Sequence, residues 1–86
     1  EATTPVKRVC YIAQLVLCGE ADPEEARHQL LRGIEQLAQV FRDAESRAFL
    51  DDATLSVTEG RFYQAMKALR GLLPRETRLL AWREGA

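Results

Sequence analysis

The sequence predicts an all-α fold, a small up-down bundle of about four antiparallel helices followed by a short C-terminal turn. Apolar residues recur at spacings of three and four along most of the 86 residues, which is the period of a helix with one buried face. Proline, glycine and capping residues divide the chain into segments with short connections, and short connections place consecutive helices antiparallel. No stretch of alternating apolar and polar residues indicates a strand.

The first helix begins at Thr4 and Pro5, because the threonine side chain can cap the helix and proline fits its first turn. Gly19 ends it. Apolar residues cover most of its circumference, and only a narrow polar strip, including Lys7 and Tyr11, interrupts them. We therefore expect a helix that is buried on more than one side or docked to a partner.

The second helix begins at Asp22, with Pro23 in its first turn and Glu25 completing a capping box, and runs to about residue 41. His28 lies off its apolar stripe. A single histidine with no acidic or nucleophilic partner at helical spacing is interpreted as a surface residue.

Asp43 can cap a third helix, which Gly60 ends in a left-handed conformation. Asp51 and Asp52 lie within it. Because neighbouring positions of a helix point about 100° apart, these carboxylates are interpreted as solvated charges and not as an acid/base pair.

The fourth helix carries a basic face opposite its buried stripe. Tyr63, Lys67 and Arg70 share one side of it at i, i+4 and i+7, and Pro74 is expected to end it. A last short turn from Thr77 is expected to dock three apolar side chains on the core. These are Leu79, Leu80 and Trp82. The buried stripe consists of Phe62, Ala65, Met66, Leu69, Leu72 and Leu73.

Charge is distributed unevenly along the chain. Residues 1–60 carry eleven acidic and six basic side chains, a net charge of −5, whereas residues 61–86 carry two acidic and six basic side chains, a net charge of +4. A basic C-terminal third can meet phosphate locally, although a solvated helix face remains the alternative. No apolar run reaches the roughly 18 residues that a membrane span needs, so we expect a cytoplasmic protein that binds no membrane.

The sequence offers no metal, cofactor or catalytic site. Cys10 and Cys18 lie eight positions apart in one helix, a separation of roughly 12 Å that a disulfide cannot bridge. We interpret both as apolar fillers in a reducing compartment. We expect no enzymatic activity.

Two segments together resemble the FlbT family of flagellar regulators. Residues 4–15 (TPVKRVCYIAQL) resemble its first helix, with a Thr-Pro start, a basic pair, an aromatic residue and a closing Gln-Leu. Residues 59–70 (EGRFYQAMKALR) resemble its segment of Glu-Gly, an arginine, two aromatic residues and an Ala-Leu-Lys-like core. Cys10 departs from the pattern, which has a bulky aromatic residue beside Tyr11.

The resemblance implies a single helical domain over residues 1–86, a piece of a longer protein with a β-rich region ahead of it. It also implies post-transcriptional regulation of flagellum biogenesis through association with the 5′ untranslated region of flagellin mRNA and promotion of its degradation. Charged side chains beside a tyrosine suit single-stranded RNA, since the cations contact phosphates while the ring stacks on a base. The predicted RNA-binding residues are Arg61, Tyr63, Lys67 and Arg70, with Arg75 and Arg78 nearby, and a second group of Lys7, Arg8 and Tyr11.

Two other functions remain open from the residues. A helical adaptor could bind flagellin or a flagellar export chaperone, or form a homo-oligomer, through the apolar surplus of the first helix. A tetratricopeptide-like helix pair accounts for the segment around Gly60, but not for residues 4–15.

Overall fold

The computed structural model describes residues 4–85, and the side chains of residues 4–80. Its helices are α1 (Pro5–Leu17), α2 (Pro23–Val40), α3 (Ala44–Thr58), α4 (Phe62–Arg70) and α5 (Leu73–Gly85). The predicted all-α fold is confirmed. No helix in this part of the chain is both long enough and apolar enough to cross a lipid bilayer.

The first four helices close a ring around one apolar core. α1 packs against α2 and α4, and α3 packs against the same two helices from the other side. α1 is therefore buried along two of its flanks, as its apolar circumference predicted. The largest fully buried hydrophobic side chains of this core are Leu30, Leu69, Leu72, Val6 and Val57.

The predicted helix starts are present as hydrogen-bonded caps. Thr4 Oγ1 accepts from the Lys7 amide at 3.3 Å, and Asp22 Oδ2 accepts from the Glu25 amide at 3.2 Å. Asp43 Oδ2 accepts from both the amide and the hydroxyl of Ser46, and these hydrogen bonds hold the pKa of the Asp43 carboxyl below its usual value. Each cap satisfies an amide that has no partner within its own helix.

The two predicted left-handed glycines are also present. Gly19 has φ +77° and Gly60 has φ +80°, and no other described residue has a positive φ. Each follows the C-terminus of a helix. There the left-handed conformation ends the helix and turns the backbone towards the next one, without the steric penalty that a Cβ atom imposes.

The C-terminal third differs from the prediction. α4 ends at Arg70 and α5 begins at Leu73, so Pro74 lies in the first turn of a new helix and does not terminate the old one. The break falls at Gly71, where an added Cβ would lie 2.9 Å from the Phe49 ring. Proline is well suited to a first turn because its missing amide hydrogen is not needed there.

α5 crosses the end of the bundle where α1 and α3 begin. Glu76 is only 6 % exposed, and its Oε2 accepts from the Val6 amide at 3.1 Å. Arg75 pairs with Asp43 and Glu45 at the start of α3. α5 is thus a 13-residue helix and not a short turn from Thr77.

The apolar residues predicted to dock α5 behave differently from one another. Leu79 packs against the core, whereas Leu80 remains 38 % exposed. Trp82 lies outside the described side chains. The docking of α5 therefore depends on Leu79 together with the two ion pairs of Arg75 and the hydrogen bond of Glu76.

Candidate nucleic-acid interface

α4 presents the predicted division between a buried and a basic side. Ala65 and Leu69 are fully buried. Tyr63, Lys67 and Arg70 are exposed on the opposite side. The helical spacing therefore predicted the orientation of this helix correctly.

Tyr63 and Lys67 form a stacked pair at the surface. The Lys67 Nζ atom lies 5.6 Å from the centroid of the Tyr63 ring, within the range of a cation–π contact. The ring remains 57 % exposed. One ring and one ammonium are thus presented together, the pairing that can stack on a base while neutralising a phosphate.

The basic side of α4 continues onto α1, because the two helices are neighbours. Arg70 lies close enough to the half-buried Cys10 of α1 for its charge to act on the thiol. Burial raises the pKa of Cys10 to about 11, and the nearby guanidinium partly opposes that rise. The thiol is therefore protonated at neutral pH and belongs to the packing between the helices.

The two groups of predicted residues consequently adjoin along one surface. Lys7 lies one turn before Cys10 on α1, and Tyr11 follows Lys7 by four positions, so both share the outer side of that helix. Tyr11 is 59 % exposed. We call this surface the α1–α4 face. Its members are Lys7, Tyr11, Tyr63, Lys67 and Arg70.

Arg61 and Arg8, the other two predicted residues, are exposed but lie at the margins. Arg61 precedes the first turn of α4, and its Nε lies 3.3 Å from Oε1 of Glu59, which offsets its charge. Arg8 lies on the α2 side of α1, where it lines a groove between these helices. The α1–α4 face thus contains five of the seven predicted residues.

Arg75 and Arg78 were predicted to lie near this face, and the structure places them elsewhere. Both line a groove beside the connection between α2 and α3. Arg75 pairs with two carboxylates there, and its guanidinium lies 5.6 Å from the centroid of the Phe49 ring. The cause is α5, which turns away across the end of the bundle instead of extending α4.

The helices that form the α1–α4 face carry no carboxylate. α1 contains Lys7 and Arg8, α4 contains Lys67 and Arg70, and neither helix contains Asp or Glu. Glu76 of α5 reaches the start of α1, but it is buried and hydrogen-bonded there. The acidic residues of α3, which packs against α4 and lies across the ring from α1, are Glu45, Asp51 and Asp52. The cations of the α1–α4 face are therefore not offset by an acidic side chain of the same two helices, although the whole chain has a formal net charge of −1.

Sequence reasoning missed Arg32, which lies beside α1 across the groove lined by Arg8. Its neighbour Gly33 was the available signal. A Cβ atom on Gly33 would lie 2.5 Å from Val9 Cγ1, so the missing side chain marks the point where α1 and α2 approach most tightly. Glycine within a helix is costly, and close backbone approach is one of the reasons for it.

The described residues contain no group of three or more His, Cys, Asp or Glu side chains arranged to bind a metal ion. Asp51 and Asp52 are exposed, in agreement with their interpretation as solvated charges, and His28 is exposed beside the groove between α1 and α2. The chemistry available on the α1–α4 face is charge neutralisation and ring stacking.

Comparison with known proteins identifies the family. A family model described as flagellar protein FlbT matches residues 1–80. The chain belongs to the FlbT family. The residues on which the FlbT resemblance rests, 4–15 and 59–70, contain most of α1 and all of α4, the two helices that form the α1–α4 face.

Several FlbT relatives carry the same descriptive name, probable flagellum biosynthesis repressor protein FlbT. Those of Allorhizobium ampelinum and Mesorhizobium japonicum are each 35% identical over 80 residues, which is 93% of this chain and 54% of the relative. That of Chelativorans sp. is 32% identical over 81 residues, 94% of this chain and 56% of the relative. The chain spans about half the length of these FlbT proteins. No solved structure gives a significant match.

Proposed function

We propose that this chain regulates flagellum biogenesis after transcription, by associating with the 5′ untranslated region of flagellin mRNA and promoting its degradation. The names of the FlbT relatives describe repression of flagellum biosynthesis. The observation that carries the RNA-binding part is the α1–α4 face. It brings together cations from two neighbouring helices that have no carboxylate of their own.

The chemistry of this face suits single-stranded RNA. Exposed Lys and Arg side chains neutralise phosphates without reading sequence, and the exposed rings of Tyr11 and Tyr63 offer stacking surfaces for unpaired bases. In this proposal the chain acts as an adaptor that promotes decay through binding. The chemical steps of RNA cleavage would belong to another protein.

The variant Lys67→Ala/Arg70→Ala tests this function. A plot of log affinity against log salt concentration has a negative slope. For a single strand, the magnitude of this slope falls by about 0.7 for each phosphate that the protein no longer neutralises. Two such phosphates correspond to a magnitude lower by about 1.4 and to an affinity roughly 25-fold weaker at 0.1 M salt. Fluorescence anisotropy with a labelled 5′ untranslated region of flagellin mRNA measures both quantities.

The matched control is Arg42→Ala/Arg47→Ala, which removes the same charge from exposed positions beside and on α3. Its affinity should stay within about 3-fold of the unsubstituted protein, because distant surface charges are screened. Circular dichroism should show unchanged helicity for both variants. Unaltered affinity of the Lys67→Ala/Arg70→Ala variant at low salt would exclude the α1–α4 face as the RNA-binding surface.

A second function is favoured by the apolar side chains that α1 leaves at the surface. Tyr11 is 59 % and Leu17 is 46 % exposed. An adaptor that binds flagellin or a flagellar export chaperone, or a second copy of this chain, would use these exposed apolar side chains of α1. A pull-down from motile cells separates the functions: flagellin transcript supports RNA binding, whereas flagellin or a chaperone without RNA supports the adaptor.

A further inference from the structure

The groove between α1 and α2 holds cations that lie outside the α1–α4 face. It has a volume of about 410 Å³, and its floor includes Val9 and Gly33. Arg8 enters it from α1 and Arg32 from α2, with His28 further along. No carboxylate among residues 4–80 forms an ion pair with either arginine.

The tight helix contact sets the two arginines at one level of the bundle. Gly33 and Val9 meet where α1 and α2 approach most closely. Arg32 and Arg8 immediately precede these two residues in the chain, and both line the same groove. The two arginines therefore line opposite walls of a single short stretch of groove.

Further cations lie at the same height along the bundle axis, on the outer side of α1 and on α4. Lys7 lies beside Arg8 on the outer side of α1, and Arg70 of α4 acts on Cys10, one turn further along α1. Cations from α4, α1 and α2 thus form a row that runs across the three helices, perpendicular to the bundle axis. We call this the transverse band. Its members are Arg70, Lys7, Arg8 and Arg32.

Acidic side chains leave the transverse band uninterrupted. Glu25 also lines the groove, but it precedes Arg32 by seven positions, roughly 10 Å along the axis of α2. Glu35 faces the other way, into a groove between α2 and α3 that it shares with Arg47 and Asp51. Glu76 lies close to the band as well, since its charge also acts on the Cys10 thiol, but its side chain is buried and accepts a hydrogen bond from the Val6 amide. At the surface, a polyanion crossing α1 at this level would therefore meet cations and neutral groups.

We infer that the RNA strand does not run along α4 alone but crosses α1, and that Arg32 and Arg8 bind its phosphates in the groove between α1 and α2. This inference rests on the proposed function and adds Arg32, and with it α2, to the RNA-binding surface. Tyr11 lies on the outer side of α1 between the two halves of the path. Its ring stacks on a base of the crossing strand.

The test compares Arg32→Ala with the matched control Arg47→Ala, since both positions are exposed arginines in neighbouring helices. When one phosphate is no longer neutralised, binding to the single-stranded 5′ untranslated region should weaken about 5-fold at 0.1 M salt and the salt slope should fall by about 0.7. Arg47→Ala should change neither. Arg32→Lys keeps the positive charge and should therefore retain most of the salt dependence of RNA binding.

The outcomes separate this inference from the proposed function. If Arg32→Ala binds like the unsubstituted protein while Lys67→Ala/Arg70→Ala is weakened, the strand is confined to α1 and α4 and the inference is wrong, although the function stands. Equal losses in Arg32→Ala and Arg47→Ala would also overturn it, since they would indicate a nonspecific effect of charge. If the unsubstituted protein binds no RNA, both fail.

Discussion

At the scale of single residues, Gly33 determines how closely α1 and α2 can approach. The position is helical, so its glycine is not needed for an unusual φ, and it lowers helix propensity by about 1 kcal/mol relative to alanine. Glycine is needed here because the absence of a side chain leaves space for Val9, which is 3 % exposed. Valine is stiff about χ1 and has little freedom to rotate away from an added methyl group.

We expect Gly33→Ala to destabilise the protein. Overpacking of a closed core typically costs about 1–3 kcal/mol, and the gain in helix propensity offsets only part of it. Urea denaturation measures the change. In the double variant Val9→Ala/Gly33→Ala the added methyl group has room, so the destabilisation should be smaller than the sum of the two single variants. A Gly33→Ala protein as stable as the unsubstituted one would show that the helices do not meet here.

At the scale of elements, α5 fastens the start of α1. The first amides of a helix have no partner within it, and the Glu76 carboxylate supplies one for Val6 from a helix that lies 70 positions later in the sequence. A carboxylate at this end also interacts favourably with the helix dipole. Because Lys7 and Arg8 follow directly in the chain, this hydrogen bond helps to position the basic residues of α1.

We expect Glu76→Ala to lower the free energy of unfolding by about 1–3 kcal/mol, because it leaves a buried amide unpaired. Hydrogen exchange should show the Val6 amide protected in the unsubstituted protein and unprotected in the variant. Glu76→Gln keeps an acceptor oxygen and should retain much of the protection. Thr77→Ala, at the exposed neighbouring position, is the control. If the Val6 amide were equally protected in Glu76→Ala and in the unsubstituted protein, α5 would not fasten the start of α1.

The sequence predicted the first four helices far better than it predicted α5. Thr4, Asp22 and Asp43 are local capping signals, and each begins the helix that it was expected to begin. Pro74 was misinterpreted because proline is compatible both with the end of one helix and with the first turn of the next. The choice between them depends on tertiary contacts, such as the close approach of Gly71 to Phe49, which lies more than 20 positions away.

At the scale of the whole molecule, the bundle brings together cations that lie far apart in the sequence. Helical spacing predicted which sides of α1 and α4 are exposed, but not that these two helices are neighbours. Ring closure brings the 4–15 and 59–70 segments together and turns two small basic groups into one surface. Arg32 was not predicted, since its position beside α1 depends on which flank of α2 faces that helix.

Whether RNA lies on the α1–α4 face or on α3 is tested most directly by ultraviolet crosslinking. The protein is crosslinked to the 5′ untranslated region of flagellin mRNA, and the crosslinked residues are mapped by mass spectrometry. We expect crosslinks at Tyr11 and Tyr63, whose exposed rings lie among the cations of this face. Crosslinks confined to α3, for example at Phe49, would contradict the proposed RNA-binding surface.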